Sequence, residues 1–320
     1  MVAIMNWKTS YNEDLAVVFE DAKAIVSVFP KPLAALGLAY VDQYNPLLPD
    51  STKNYICYLL PFWLQDVTGT DSAASRKLSL ANVFIMLYFF VQDDLMDTSP
   101  DDWKEQLALG NLLYVAFLDI YRETFPPDSP FWHFFSRYIG EWAVAVATEG
   151  QASYSDYSLA MKASPVKLAS TGALLLSGRE TLIPAVSDAV DSVLTTLQMA
   201  DDWADWENDL MEGSGNSLLS FIRKERQLPE DSPLTALEVK QAVGINGVLG
   251  RFAKTAAQRH EYLRQGSFDA PMLFAFHQSL VSQLEKSGES LSERSRSLLR
   301  GGFVDWLSKS SNMTYAARPE

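Results

Sequence analysis

Residues 80–97 read Leu-Ala-Asn-Val-Phe-Ile-Met-Leu-Tyr-Phe-Phe-Val-Gln-Asp-Asp-Leu-Met-Asp. From Leu80 to Val91 nearly every residue is apolar, so a helix over this segment has no extended polar face. Helices that are apolar all round lie at the centre of large helical bundles. Three aspartates then follow within the next six residues. The stretch therefore predicts the central helix of an all-α fold, with an acidic carboxyl end.

The rest of the chain shows the same helical pattern. Apolar residues recur at three- and four-residue spacing, and the alternation typical of strands is scarce. No linker or internal repeat is visible, so we predict a single domain over residues 1–320, with a loose polar tail after about residue 308. The clearest predicted helices cover 52–68, 72–97, 103–124, 130–151, 157–177, 181–211, 235–264 and 270–288.

The net charge excludes two classes of partner. Forty acidic residues against 26 basic ones give a formal charge of −14. Such a chain repels nucleic acids and anionic membrane surfaces. It also repels an anionic small substrate, unless bound cations invert the local field.

The sequence gives no indication of export or membrane insertion. Residues 1–8 lack the apolar core of a signal peptide. The longest apolar stretch, Val83 to Val91, is about half of what a bilayer span needs. We expect a cytoplasmic protein without integral membrane association.

Cysteine and histidine do not suggest a metal centre. The single cysteine, Cys57, excludes an intramolecular disulfide and a cysteine-based zinc cluster, and its apolar surroundings predict buried packing. The three histidines, His133, His260 and His277, lie far apart and show no ligand spacing.

The acidic end of the predicted central helix forms what we call the first carboxylate row, Asp93, Asp94 and Asp97. Residues four apart in a helix differ by about 40° in direction and about 6 Å in height. Asp93 and Asp97 therefore share one face, with Asp94 beside them.

A second acidic cluster lies in residues 198–209, Gln-Met-Ala-Asp-Asp-Trp-Ala-Asp-Trp-Glu-Asn-Asp. Asp201, Asp205 and Asp209 are four apart and form the second carboxylate row on one helix face. Trp203 and Trp206 flank Asp205, and we expect them to pack on the other side of the helix.

Two such rows indicate bound cations. Stacked carboxylates repel each other, and burial of their helix disfavours the charged form further. Magnesium prefers oxygen ligands and typically uses one or two carboxylates plus waters and substrate phosphates. A single DDxxD pattern is weak evidence, because one residue in eight is acidic and a solvated helix end explains it equally well. The repetition of the pattern at the end of a second long helix favours metal binding.

The pair of clusters resembles the two metal-binding motifs of the class I isoprenoid synthases, which include terpene cyclases, trans-prenyl diphosphate synthases and squalene/phytoene synthases. The resemblance covers roughly residues 50–290. It implies an all-α class I isoprenoid (terpenoid) synthase helical bundle around a central apolar cavity. Two aspartate-rich helices would face each other across its mouth and hold three magnesium ions, for which manganese is the expected substitute. The resemblance implies an isoprenyl diphosphate as the substrate. Whether the chain forms a homodimer is left open by the sequence.

The motifs carry over residue by residue. The first row matches the first motif, and the second row occupies the positions of the second. Asp202, inside the second DDxxD, and Gln198 ahead of it are closer to the prenyl diphosphate synthase version of that motif. The spacing of Asp201 and Asp205 also resembles the phytoene synthase version. The resemblance thus implies as catalytic metal ligands Asp93, Asp94, Asp97, Asp201, Asp205 and Asp209, with Asp202 as a further ligand and Gln198 as a substrate contact.

Departures from the motifs favour one subfamily. Chain-elongating synthases hold their second diphosphate with a Gly-Lys-Arg segment near the N-terminus and an arginine pair after the first motif. Here the first 75 residues contain no arginine, and none follows Asp97 before Arg122. We therefore expect a class I terpene cyclase, a carbon–oxygen lyase. It would ionise a farnesyl- or geranylgeranyl-class diphosphate, cyclise the carbocation and release diphosphate. The Arg-Tyr pair of microbial cyclases is not evident near the C-terminus.

Alternatives stay open. A trans-isoprenyl diphosphate synthase and a squalene/phytoene-type condensing prenyltransferase share the motifs but need two diphosphates. A non-enzymatic helical scaffold is the alternative from another class, and it gives no reason for two matched carboxylate rows.

Four further residues are candidate substrate contacts. Phe89 and Phe90 precede the first row by one turn, and they either line the cavity, where they stabilise a carbocation by cation–π attraction, or pack in the core. Lys167 and Arg179 lie where the resemblance implies a diphosphate-contacting base, and a surface or helix-end role is the alternative.

Overall fold

The computed structural model describes residues 6–98, 100–148 and 160–297, and these contain helices and turns without any strand. Two short 3₁₀ helices cover Ser164–Val166 and Glu180–Leu182. The predicted all-α class is confirmed. The helices are α1 (Asn12–Ser27), α2 (Leu33–Gln43), α3 (Tyr55–Trp63), α4 (Gln65–Thr68), α5 (Ser72–Thr98), α6 (Trp103–Thr124), α7 (Phe131–Ala147), α8 (Lys167–Leu176), α9 (Ile183–Glu212), α10 (Ser217–Glu225), α11 (Ala236–Gly244), α12 (Val248–Arg264) and α13 (Pro271–Ser297).

The chain divides into two compact units. Of the described residues, unit 1 consists of 6–98, 100–148, 160–194 and 263–276, and unit 2 of 195–262 and 277–297. Segments of the two units alternate along the sequence, and helices α9, α12 and α13 contribute residues to both. The sequence predicts a single domain because no linker marks this division. The predicted loose tail falls outside the described residues.

Helix α5 is the core helix of unit 1. It packs against α1, α3, α6 and α8, and every residue from Ala81 to Leu87 is buried. By length and composition α5 could cross a membrane, but most of its apolar segment is buried inside the protein. Its apolar surface is therefore explained by packing, as the sequence predicts.

A polar side chain in the middle of α5 compensates for a proline in α3, and a second one bonds the next carbonyl of α3. Pro61 has no backbone N–H, so it cannot donate to the carbonyl of Cys57. Asn82 Nδ2 donates to that carbonyl at 2.5 Å, and Ser79 Oγ donates to the carbonyl of Tyr58 at 2.7 Å. The predicted helix 52–68 is two helices, α3 and α4, which are divided at Leu64. Cys57 is buried as predicted, and burial raises its pKa to about 12.

Unit 2 has its own apolar core. It is formed by residues of the second half of α9, α10, α11, α12 and α13, including Met199, Trp206, Leu218, Phe252 and Leu284. The predicted helix 235–264 is divided into α11 and α12, because the chain turns at Gly247, whose φ of 67° favours glycine.

Unit 2 contains a buried pair of histidines that was not predicted from the sequence. His260 Nδ1 and His277 Nδ1 are 3.0 Å apart, and His277 Nε2 is 2.8 Å from Thr196 Oγ1. The two histidines were expected to be separate, but residues 17 apart on successive helices meet here. Burial, the neighbouring His260 and the charge of Arg259 lower the pKa of His277 to about 3.

This pair predicts a specific loss of stability in acid. Unfolded His277 takes up a proton below a pKa of about 6.5, whereas the folded residue stays neutral until about pH 3. Its contribution is therefore fully present above pH 6.5 and falls by up to about 1.4 kcal/mol per pH unit as the pH drops towards 3. Urea unfolding at several pH values measures this loss.

The control for this prediction is His277→Gln, which keeps a polar group near Thr196 but does not titrate. Its free energy of unfolding should fall less steeply between pH 6.5 and 4 than that of the parent. Parallel pH profiles would show that His277 does not resist protonation in the fold.

Candidate functional site

The first carboxylate row lies in unit 1, on the last two turns of α5. The side chains of Asp93 and Asp94 are half-buried and Asp97 is exposed. Helix α5 ends at Thr98, whose Oγ1 donates to the carbonyl oxygen of Asp94 at 2.7 Å. The helical geometry that the sequence predicts for this row is therefore present.

Helix α2 contributes two tyrosines beside this row. The hydroxyl of Tyr40 donates a hydrogen bond to Asp94 Oδ2. The ring of Tyr44 stacks on Phe90 with centroids 4.5 Å apart, and the two tyrosine rings are 5.7 Å apart. The sequence analysis missed both, since they precede the row by some 50 residues and belong to no motif. Their four-residue spacing was the only available signal.

The carboxylates keep both tyrosine hydroxyls protonated. Burial and the charges of Asp94 and Asp93 raise the pKa of Tyr44 to about 12. Burial and the hydrogen bond to Asp94 raise the pKa of Tyr40 even further above its ordinary value. Both groups are therefore hydrogen-bond donors at any physiological pH.

Phe89 and Phe90 have different surroundings. Phe89 is buried and packs on Trp142 of α7, with ring centroids 4.5 Å apart, as the core interpretation expects. Phe90 is half-buried against Tyr44, next to the first row. A contact with substrate stays a prediction for both, and the geometry favours Phe90.

The second carboxylate row lies on α9 in unit 2. Asp201 and Asp205 are exposed, and Asp209 is half-buried. Desolvation of its carboxyl group and the negative charges of Asp202 and Asp205 raise the pKa of Asp201 to about 6. Asp201 therefore takes up a proton more readily than an ordinary aspartate does.

Asp202 differs from its neighbours in the same motif. It is buried and accepts hydrogen bonds from Gln198 Nε2 at 2.8 Å and from the backbone N–H and hydroxyl of Ser217. Asn216 Nδ2 donates to the Asp202 carbonyl and to Asp209 Oδ2, while its own side chain caps α10. Asp202 therefore anchors the turn that leads into α10, and Gln198 is directed at Asp202. These contacts favour a structural role for Asp202; its predicted role as a metal ligand, and that of Gln198 as a substrate contact, stay predictions.

The two flanking tryptophans pack as expected. Trp206 is buried in the unit 2 core, and Trp203 packs against the same core. The apolar side of α9 thus faces the protein, while Asp201 and Asp205 reach solvent.

Lys167 is held in a buried ion-pair triad of unit 1. Its Nζ lies 2.9 Å from Glu141 Oε2 and 2.9 Å from Asp191 Oδ1, and 4.7 Å from the ring centroid of Tyr138. Burial lowers the pKa of Lys167, but the two carboxylates outweigh this effect and the pKa is raised. Its charge is thus already matched by two acids, which gives no support to the predicted contact with a diphosphate. Arg179 is exposed, and its predicted role stays a prediction.

The candidate ligands are carboxylate oxygens, which is the type of ligand that magnesium prefers. Among the described residues, no three His, Cys, Asp or Glu side chains converge closely enough to hold an ion by themselves. Magnesium usually keeps several waters and takes phosphate oxygens beside one or two carboxylates, so it does not need such a cage. The pKa of Asp201 is raised by desolvation first and then by the charges of Asp202 and Asp205, and a cation nearby would relieve that repulsion.

Comparisons with known proteins support the fold. No protein-family model and no curated protein sequence matches the chain. Among the solved structures that match is a geranylgeranyl pyrophosphate synthase from Lactobacillus brevis ATCC 367. The match has a TM-score of 0.65 at 13% sequence identity and covers 88% of this chain and 100% of that one. At this identity the likeness shows the fold alone: the chain has the all-α isoprenyl diphosphate synthase fold.

Proposed function

We propose that this protein is a magnesium-dependent enzyme that acts on isoprenyl diphosphates by ionising the carbon–oxygen bond. The observation that carries the proposal is the second carboxylate row, which α9 presents to solvent in a chain with the fold of a geranylgeranyl pyrophosphate synthase. The first row, at the end of the core helix of unit 1, supports it.

The six aspartates of the two rows are the proposed magnesium ligands. Bound magnesium neutralises the diphosphate and stabilises the charge that develops on the leaving group. The net charge of −14 makes this cation necessary, since the chain alone repels a diphosphate. On the protein side, Asp202, Asn216 and Ser217 fix the turn behind the second row.

Transfer of the prenyl group to a second diphosphate is the fate that the structural likeness favours. It was the alternative in the sequence analysis, and the matching solved structure is a prenyl diphosphate synthase. The double bond of isopentenyl diphosphate would then attack the allylic cation, and loss of a proton to the released pyrophosphate would give a longer diphosphate.

Cyclisation is the second candidate fate. The observation in its favour is the absence of arginine from the first 75 residues and from residues 98–121, where elongating synthases hold the second diphosphate. With one diphosphate site, the cation would close on its own chain and the enzyme would be a lyase.

One incubation separates the two fates. The protein is mixed with magnesium and geranyl, farnesyl or geranylgeranyl diphosphate, each with and without isopentenyl diphosphate, and products are analysed by gas chromatography and mass spectrometry. A longer diphosphate that forms only with isopentenyl diphosphate identifies a prenyltransferase. A hydrocarbon or alcohol that forms from the allylic diphosphate alone identifies a cyclase. No product from any substrate would contradict the proposal.

A further inference from the structure

We propose that Tyr40 is a positioning residue that holds the carboxylate of Asp94 in the orientation in which it binds magnesium. The inference rests on the proposed function, because it needs the first row to be a metal site. It assigns a role to α2, which carries none of the motif residues.

The first step is the contact itself. Tyr40 is 8% exposed, and its hydroxyl reaches from α2 to Asp94 Oδ2 on α5. The hydroxyl is the donor in this bond, and the carboxylate oxygen accepts. Since a carboxylate oxygen can accept more than one partner, this bond leaves Oδ1 and part of Oδ2 for a cation.

The second step is that α2 is itself held in place, so the position of the hydroxyl is fixed. The ring of Tyr44 stacks on Phe90, one turn before Asp94. Asp42 pairs with Lys23 of α1 at 2.8 Å. Gly37 allows α2 to approach α1 closely, since a Cβ there would lie 2.6 Å from Val26 Cγ1.

The third step is the consequence for metal binding. A side chain that donates to a ligating carboxylate fixes its rotamer, so less conformational freedom is lost when the metal binds. Removal of such an outer partner typically weakens metal affinity about 10- to 100-fold. Tyr40→Phe removes only the hydroxyl and keeps the ring, which makes it the appropriate variant.

The test measures binding without turnover. Magnesium is titrated into the full-length protein at a fixed concentration of inorganic pyrophosphate, and the melting temperature is recorded at each step. Tyr44→Phe is the matched control, because it removes a hydroxyl from the neighbouring ring without removing the donor to Asp94. We expect the magnesium midpoint to rise about 10-fold or more in Tyr40→Phe and to change less than about twofold in Tyr44→Phe. The metal-free melting temperatures of both should stay close to that of the parent.

Each outcome decides the inference. An unchanged magnesium midpoint in Tyr40→Phe overturns the inference. A lower midpoint also overturns it, because the hydroxyl would then compete with the metal for Asp94. Equal weakening in both variants also overturns it, since the effect would then not come from the bond to Asp94. If the parent itself shows no shift with magnesium and pyrophosphate, the proposed function fails and the inference falls with it. If the melting temperature of the parent rises with magnesium and pyrophosphate but Tyr40→Phe has the same magnesium midpoint, the inference fails while the proposed function stands.

Discussion

Asp93→Ala and Asp205→Ala should each reduce diphosphate release from an allylic substrate by roughly 10³-fold, the equivalent of several kcal/mol of leaving-group stabilisation by metal. Each substitution removes one proposed ligand from one row. The metal-free variants should be as stable as the parent or slightly more stable, because removal of one carboxylate relieves repulsion within its row. Magnesium with pyrophosphate should raise the melting temperature of the parent, and the variants should lose most of that increase.

Exposed acids outside the two rows provide the controls. Asp128→Ala in unit 1 and Glu230→Ala in unit 2 remove the same charge from loop positions and should leave diphosphate release unchanged. The contradicting pattern is a row variant that melts much earlier without ligand yet keeps its activity. Those aspartates would then be structural, and the metal-binding interpretation of their row would be withdrawn.

Lys167→Met should cost about 3–5 kcal/mol of unfolding free energy, the second large effect that we expect. The Lys167 side chain is only 2% exposed, so its removal takes a buried cation away from Asp191 and from Glu141, which keeps its ion pair with Arg137 at 2.9 Å. Urea unfolding followed by circular dichroism measures the loss. A triple variant with Glu141→Gln and Asp191→Asn should recover much of it, because the buried charges are then gone.

The same variant distinguishes the two interpretations of Lys167. A buried structural ion pair predicts a large loss of stability in the absence of any ligand. A diphosphate-binding base predicts normal metal-free stability and weaker pyrophosphate binding. Arg179→Met, at an exposed position, is the control and should change the unfolding free energy by less than about 0.5 kcal/mol.

Long, strongly patterned helices were predictable from sequence. The predictions for α5, α6 and α9 agree with the structure to within two residues at each end, because their apolar periodicity continues without interruption. Residues 52–68 and 235–264 were each predicted to form one continuous helix, and each range contains two helices in the structure. The first is divided at Leu64, three residues after Pro61, and the second turns at Gly247.

The candidate site was predictable only in part. Helical spacing shows which residues share one face of a helix, but it does not show which residues of other segments they contact. It places Asp201 and Asp205 in one row, yet it does not show that Asp202 points to the turn at Asn216 and Ser217. Contacts between residues that are far apart in the chain could not be predicted from the sequence either.

Two such contacts show the limit. Tyr40 reaches Asp94 across 54 residues of sequence, and His277 reaches Thr196 across 81. Neither pair belongs to a local pattern, and each exists because separate helices pack together. Residues of this kind carry the positioning and pH-dependent effects that we predict.

The central claim is that magnesium held by this protein allows an isoprenyl diphosphate to ionise, and release of inorganic pyrophosphate tests it most directly. Release from geranyl, farnesyl and geranylgeranyl diphosphate is measured in magnesium and in chelator, with and without isopentenyl diphosphate, so that either fate of the cation is detected. We predict release in magnesium from at least one of these substrates, none in chelator, and recovery when excess magnesium is returned. Full release in chelator, or no release from any substrate by the folded protein in magnesium, would contradict the account.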